Sequence, residues 1–250
     1  MSRVFGPNEL LDCYRRGVFP MADSADDPRL FLVDPDQRGV LPLDGFHLSR
    51  KLRKTVLANR FTVRVDTAFA QVMDCCAEPA PGRINTWINA PIHNLYGALH
   101  RMGYAHSVEC WEGDDLVGGL YGVHVRGAFF GESMFSRRTD ASKVALVHLV
   151  GRLLHGGFRL LDTQFITQHL RQFGAVEIDR DEFQRRLADA MSVEASFGSE
   201  AYWLDGTDGS GSGTPTGASA GADAGAAGGS TDPPAGGGAE AAVQLITQTS

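Results

Sequence analysis

The chain has 250 residues, 43% of them hydrophobic, and a formal charge of −7, which is apolar content enough for a sizeable core in one or two domains. Residues 206–250 hold four of the acids (Asp208, Asp223, Asp232, Glu240) and no Lys or Arg, so the remainder is close to neutral; any RNA partner must be met by a local basic patch and not by global charge. No apolar run reaches membrane-spanning length, no signal-like apolar core follows the N-terminus, and Cys13, Cys75, Cys76 and Cys110 show no paired spacing; the expectation is a soluble chain in a reducing cytoplasm without a lipid anchor.

In chain order, residues 1–60 are short segments broken by Pro20, Pro28, Pro35 and Pro42, with a helix opened by Pro7 or Asn8 that carries Leu10, Leu11 and Tyr14. They predict a small N-terminal domain. From Phe61 the signals strengthen: FTVRV alternates as a half-buried strand, and DTAFAQVMDCCA predicts a helix with Asp66 as N-cap and Phe69, Val72, Met73 and Cys76 on one face. A second helix, Ala90 to Met102, gathers Ile92, Leu95, Tyr96 and Leu99 and stops at Gly103. Next comes a β-meander of AHSVECWEG, DLVGGLYGVHV and GAFFGE, with turns at Gly113-Asp114 and Arg126-Gly127. Asp140 is expected to cap a helix reaching about His155; FRLLDTQ then predicts a strand, ITQHLRQF a short helix closed by Gly174, AVEI a strand, and Asp181 to Met191 a last helix. The sum is an α+β fold, a mixed sheet with flanking helices over residues 61–205. From Gly206 the chain is mainly Gly, Ala, Ser, Thr and Pro until Val243, Leu245 and Ile246, which predicts a disordered tail over 206–250, dispensable for the catalytic rate.

Strands turn residues i and i+2 to one face, so Asp162 and Gln164 are expected to point the same way at a strand's C-terminal end. There Asp162 can accept from the Gln164 side-chain amide and leave its carbonyl free for an incoming N–H. From spacing alone, an ordinary strand end turning polar at solvent is the favoured reading. Glu132 in GESMFSRRTDAS also leaves a strand end; if the two ends meet, they form an acidic cleft beside Met134, Phe129 and Leu120, suited to an amine nucleophile and an apolar acyl group. Otherwise Glu132 pairs with Arg137 or Arg138 at the surface, worth about 0 to 1 kcal/mol. Cys110 with His106 is a weaker thiol candidate, and no His or Cys spacing fits a metal site. SRKLRKT places Arg50, Lys51, Arg53 and Lys54 together, able to track phosphates, although such runs are usually solvated faces. Trp87 and Trp111 are able to stack a base, though core or rim packing is commoner for such residues.

The segments GVFPMA (17–22), HSVECW (106–111), LVGGLYGV (116–123), GESMFS (131–136), ASKVAL (141–146), DTQF (162–165) and HLRQFGA (169–175) together resemble the leucyl/phenylalanyl-tRNA-protein transferase family, in its order and spacing across roughly residues 5 to 190. The resemblance implies a small N-terminal domain and a C-terminal domain like the GCN5-related N-acetyltransferases. It implies an enzyme that moves Leu or Phe, with Met left open, from aminoacyl-tRNA to the N-terminal Arg or Lys of acceptor proteins, creating an N-degron without ATP, metal or other cofactor. A cytoplasmic monomer is expected. By the same resemblance Asp162 polarises Gln164, whose carbonyl receives the amine hydrogen, while Glu132 attracts the acceptor's cationic end. Met134 and Leu120, with Phe129 and Ser133, serve the Leu or Phe donor, Trp87 falls near the terminal adenosine, and Arg137 and Arg138 meet the tRNA 3′ end. Two departures concern how substrates are gripped: Leu32 and Val33 stand where many members have an aromatic, and Thr167 where Asn is common. An acyl-CoA N-acyltransferase is one rival, weakened because SRRTDASK lacks a glycine-rich pyrophosphate cradle; a non-catalytic RNA- or degron-binding module is the other.

Overall fold

The computed structural model describes residues 5–79, 85–198 and 237–249. Helix α1 (Pro7–Arg15) starts on a proline, whose fixed φ suits a first turn, and turns Leu10, Leu11, Cys13 and Tyr14 inward. Strands β1 (Phe19–Met21) and β2 (Phe31–Val33) pair antiparallel as a separate ribbon. There follow β3 (Gln37–Val40), α2 (Arg50–Leu57), β4 (Thr62–Val65), α3 (Phe69–Ala77) and α4 (Ala90–Arg101). The meander is β5 (Ala105–Glu112), β6 (Asp115–Val125) and β7 (Ala128–Ser136), and after it come α5 (Ala141–His155), β8 (Leu160–Gln164), α6 (Gln168–Arg171), β9 (Val176–Asp179), α7 (Arg180–Met191) and α8 (Gly237–Thr249).

Seven strands form one mixed sheet in the order β4-β5-β6-β7-β8-β3-β9, with β7 and β8 parallel and the other neighbours antiparallel. Both faces are covered. Along each central strand adjacent residues alternate between two cores: Tyr121, Phe130 and Leu160 join α1, α3, α4 and α7 on one side, and Leu120, Phe129 and Leu161 join α2, α5 and α8 on the other. A strand covered on both faces reads as a continuous apolar run, which is why FRLLDTQ and GAFFGE show no polar alternation. Helix α5 lies close on β6 because residue 118 is glycine; a Cβ there would sit 2.5 Å from that of Ala141. Among the described residues no helix is long and apolar enough to cross a membrane.

Several expectations are corrected. β3, inside the segment expected to be the small N-terminal unit 1–60, is an interior strand of the large sheet between β8 and β9. Helix α3 begins at Phe69 and not at an Asp66 cap; the Ala68 N–H donates to Glu109 Oε1 on β5 at 2.8 Å, while Asp66 accepts from Ser107 N–H at 2.8 Å. A cap supplied across space leaves no mark in the local sequence. Asp140 does stand at the N-cap of α5, but with φ 67° and no side-chain cap bond; it pairs with Lys143 at 2.8 Å instead. β7 runs on through Ser136, so GESMFS is strand and not loop. The tail expected to be disordered contains α8, whose Ala239, Ala242, Val243 and Ile246 are buried against the α5 side of the sheet; residues 206–236 of that expectation lie outside the described residues. Four apolar side chains at helical spacing supply the burial that composition alone obscured.

Candidate active site

Glu132 owes its position to a β-bulge. Gly122 pairs with Gly131 and Tyr121 with Ser133, so Glu132 is the extra residue of β7 at this register shift. Bulges release one residue from the ladder and re-aim its side chain. Glu132 turns into protein, where Oε1 accepts from Tyr14 Oη at 2.7 Å and Gln164 Nε2 at 3.2 Å, and Oε2 accepts from Tyr96 Oη at 3.0 Å. The two tyrosine hydroxyls also bond each other. Although the residue borders the cleft, its carboxylate is enclosed; burial raises its pKa to about 7, with Asp162 adding to the rise and Tyr14, Tyr96 and Arg38 opposing it. Burial, followed by the Glu132 charge, pushes both tyrosines well above their ordinary range.

Asp162 and Gln164 stand on the neighbouring parallel strand. The β7–β8 register pairs Phe130 with Asp162, so two residues further along each strand Glu132 meets Gln164. Asp162 does not hold the Gln164 side chain, as expected from the sequence; Glu132 does. The Asp162 carboxylate is fully buried and taken by Arg38, through Nε at 2.9 Å and Nη2 at 2.6 Å, and its Oδ1 accepts the Gln164 backbone N–H at 2.9 Å. Arg38 donates its remaining nitrogen to Gly17 O at 2.7 Å and lies against the rings of Phe19 and Phe183. Gln164 adopts φ 54°, uncommon for an unbranched side chain that cannot bond its own turn as Asn does. The Asp162–N–H bond offsets that strain and swings the amide toward Glu132.

A cleft of about 840 Å³ opens over this cluster, with Glu132, Gln164, Leu120 and Met134 in its wall. Leu120 and Met134 are cross-strand partners on β6 and β7, and Trp87 and Ser133 also border the space. Phe129 does not. As the register requires, it points to the opposite face, where it stacks on Phe197 with centroids 5.5 Å apart. Arg137 reaches the rim and pairs with Glu78 at 2.5 Å, and Arg138 pairs with Glu112 at 3.1 Å; neither approaches Glu132 as a surface ion pair. Cys110 is buried, its thiol pushed up by desolvation and donating to Ala141 O, while His106 binds Asp66 at 2.7 Å and His124 at 3.0 Å. They form no nucleophile–base pair. Among the described residues no three His, Cys, Asp or Glu side chains converge as metal ligands.

The family model of leucyl/phenylalanyl-tRNA protein transferase matches residues 40–188, and that of its N-terminal domain matches residues 5–36. The chain is 64% identical over 197 residues to the leucyl/phenylalanyl-tRNA–protein transferase of Hyphomonas neptunium, covering 79% of this chain and 76% of that protein. It belongs to this transferase family. The corresponding protein of Phenylobacterium zucineum is 58% identical over 207 residues, covering 83% of this chain and 94% of the other, and that of Maricaulis maris is 61% identical over 195, covering 78% and 90%. A solved domain of a putative lysylphosphatidylglycerol synthetase from Agrobacterium fabrum aligns over 73% of this chain and 62% of that one, at 12% identity and a TM-score of 0.35, too low to bear on the fold.

In this transferase, the boundary between the two matched regions falls at residues 36–40, where β3 enters the sheet. Three residues of the cluster were not singled out from sequence. Arg38 sits in a segment without periodicity and meets Asp162 124 positions away. Tyr14 and Tyr96 are visible only as members of apolar helix faces. Their hydroxyls were the available signal, because a buried phenol needs a polar partner and therefore points to one. The basic side chains Arg50, Lys51, Arg53 and Lys54 are all exposed on α2, which buries only Leu52 and Val56.

Proposed function

We propose that the protein transfers Leu or Phe from aminoacyl-tRNA to the N-terminal Arg or Lys of acceptor proteins, forming a peptide bond and an N-degron. The observation that carries this reading is the Gln164 side-chain nitrogen donating to Glu132 at 3.2 Å in the wall of a largely apolar cleft. With its nitrogen engaged, the Gln164 carbonyl oxygen is the end left to accept an N–H from the attacking amine.

The donor ester is already activated. The neutral α-amine attacks its carbonyl carbon, the nitrogen loses a proton, the bond from carbon to ribose oxygen breaks, and that oxygen leaves protonated as the tRNA hydroxyl. A peptide α-amine titrates near pH 7.7 to 8, so at neutral pH it arrives largely as ammonium. Glu132, enclosed behind the Gln164 amide with its pKa raised to about 7, makes this end of the cleft favourable to that cation, which sheds its proton to water before it attacks. Asp162 acts one step back, holding the backbone turn that presents Gln164. Leu120 and Met134 offer a deformable apolar slot that accepts branched or aromatic side chains and disfavours charged ones through desolvation, with Ser133 at its edge. Trp87 stacks the terminal adenosine, worth about 1 to 3 kcal/mol.

The exposed cations of α2, with Arg137 at the rim and its neighbour Arg138, track the tRNA phosphates. The acids on the last two hold them only in exposed pairs, which cost little to exchange for phosphate. Four buried, unbridged cysteines agree with action in the cytoplasm. The test is a filter assay with radiolabelled Leu-tRNA and acceptor proteins that begin with Arg, Lys or Ala. Transfer to the first two alone is expected, and Gln164→Ala should lose it while still binding tRNA. Undiminished transfer by that variant would sink the assigned chemistry.

A further inference from the structure

Helix α8 lies outside the residues matched by either family model, yet it is docked on the face of the molecule that carries α2. It packs mainly on α5 and also meets α2, and α2 leans on α8 as much as on α5. α2 is poorly equipped to stand alone. It has eight residues and buries two, and its first turn holds Arg50 and Lys51 with no acid, although about 12 to 15 residues are needed for a marginally stable isolated helix and cations at an N-terminus oppose the helix dipole. Beyond the Ser49 cap on the Leu52 N–H, its order comes from Leu52 and Val56 packing in one core with residues of α5 and with Ala239, Ala242, Val243 and Ile246 of α8.

We propose that α8 is an intramolecular ligand of the α2–α5 groove that holds the basic face of α2 in its tRNA-binding pose, which makes this C-terminal helix an affinity element for aminoacyl-tRNA. This rests on the transfer reaction above and adds to it a part outside the catalytic cleft. The seam itself is apolar: the one acid of α8, Glu240, is exposed, and α8 carries no cation to repel its basic neighbour.

The experiment compares the full chain, a chain ending at residue 236, and full-length Ile246→Asp. When α2 spends only a tenth to a fifth of its time in the competent pose, apparent tRNA affinity falls by that fraction, about 5- to 10-fold. Both altered proteins are expected to show that rise in KM for Leu-tRNA with kcat unchanged. KM for a leucyl-adenosine ester, too short to reach α2, should not move, and hydrogen exchange at the α2 amides should quicken. A peptide of residues 237–250 at about millimolar concentration, comparable to what a tether supplies, should restore the truncated chain. Unchanged tRNA affinity and α2 exchange in an active truncated enzyme would overturn the proposal, as would an equal loss with the adenosine ester, which marks general destabilisation. An intact chain without any transfer activity would instead overturn the functional reading, leaving the exchange measurement to decide the docking.

Discussion

Glu132 is held where a carboxylate is least comfortable. Its pKa of about 7, against an ordinary 4.5, means that between those pH values the folded chain keeps a proton the unfolded chain has lost. The stability from this group is therefore fully present below about pH 4.5 and is lost as pH rises through about 7, an effect on the order of 3 kcal/mol. Glu132→Gln should abolish that dependence, raise stability at pH 8, and lower transfer; urea titrations at pH 5 and pH 8 beside the transfer assay check both signs. At Arg38 the expectation is reversed. Its removal strands the fully buried Asp162 carboxylate, so Arg38→Ala should cost about 3 to 5 kcal/mol in a urea melt. The sequence offered Glu132 and Gln164 as candidates because strand patterns put both near strand ends. It could not say which acid holds the amide, because the answer depends on Arg38 claiming Asp162 first.

At the scale of elements, the site is made by a bulge in β7 and a parallel pairing of β7 with β8. The turns of the meander and the extents of α5 and β8 were readable from periodicity and turn residues, since those signals are local, but the end of β7 was not. The bulge was not, because it exists only as a mismatch of count between two paired strands. Glycines in LVGGLYGV mark close approaches, and Gly118→Ala should push α5 away from β6 and cost about 1 to 3 kcal/mol, measurable by urea denaturation. For α2, Arg50→Ala combined with Arg53→Ala should weaken tRNA binding and reduce the slope of log affinity against log salt by about 2. An unaltered slope would return those residues to an ordinary solvated face.

Over the whole molecule, buried imidazoles set the acid limit. His124 is pushed down to about 4 by burial and by His106, against the opposing pull of Asp66, and His148 to about 4 by burial and Arg152. Both stay neutral in the fold while the unfolded chain protonates near pH 6.5, so their contribution is present above that pH and is lost as pH falls through about 4. Between pH 6.5 and 4.5 they outweigh the opposite trend of Glu132. Unfolding free energy should therefore fall on acidification, and His124→Gln should flatten the curve; a profile unchanged by that substitution would exclude His124 as a source. By itself the sequence determined the α+β class, the order of most elements and the family resemblance, and it offered Glu132, Asp162 and Gln164 as candidates without their pairing, since each of these is written in local periodicity or contiguous motif. Tertiary structure alone decided that Arg38 clamps Asp162, that two helix tyrosines and Gln164 all donate to Glu132, that Phe129 turns away from the cleft, and that the last helix docks beside α2. Those outcomes follow from strand register and from burial shared by residues far apart in the chain, and no stretch of sequence encodes either on its own.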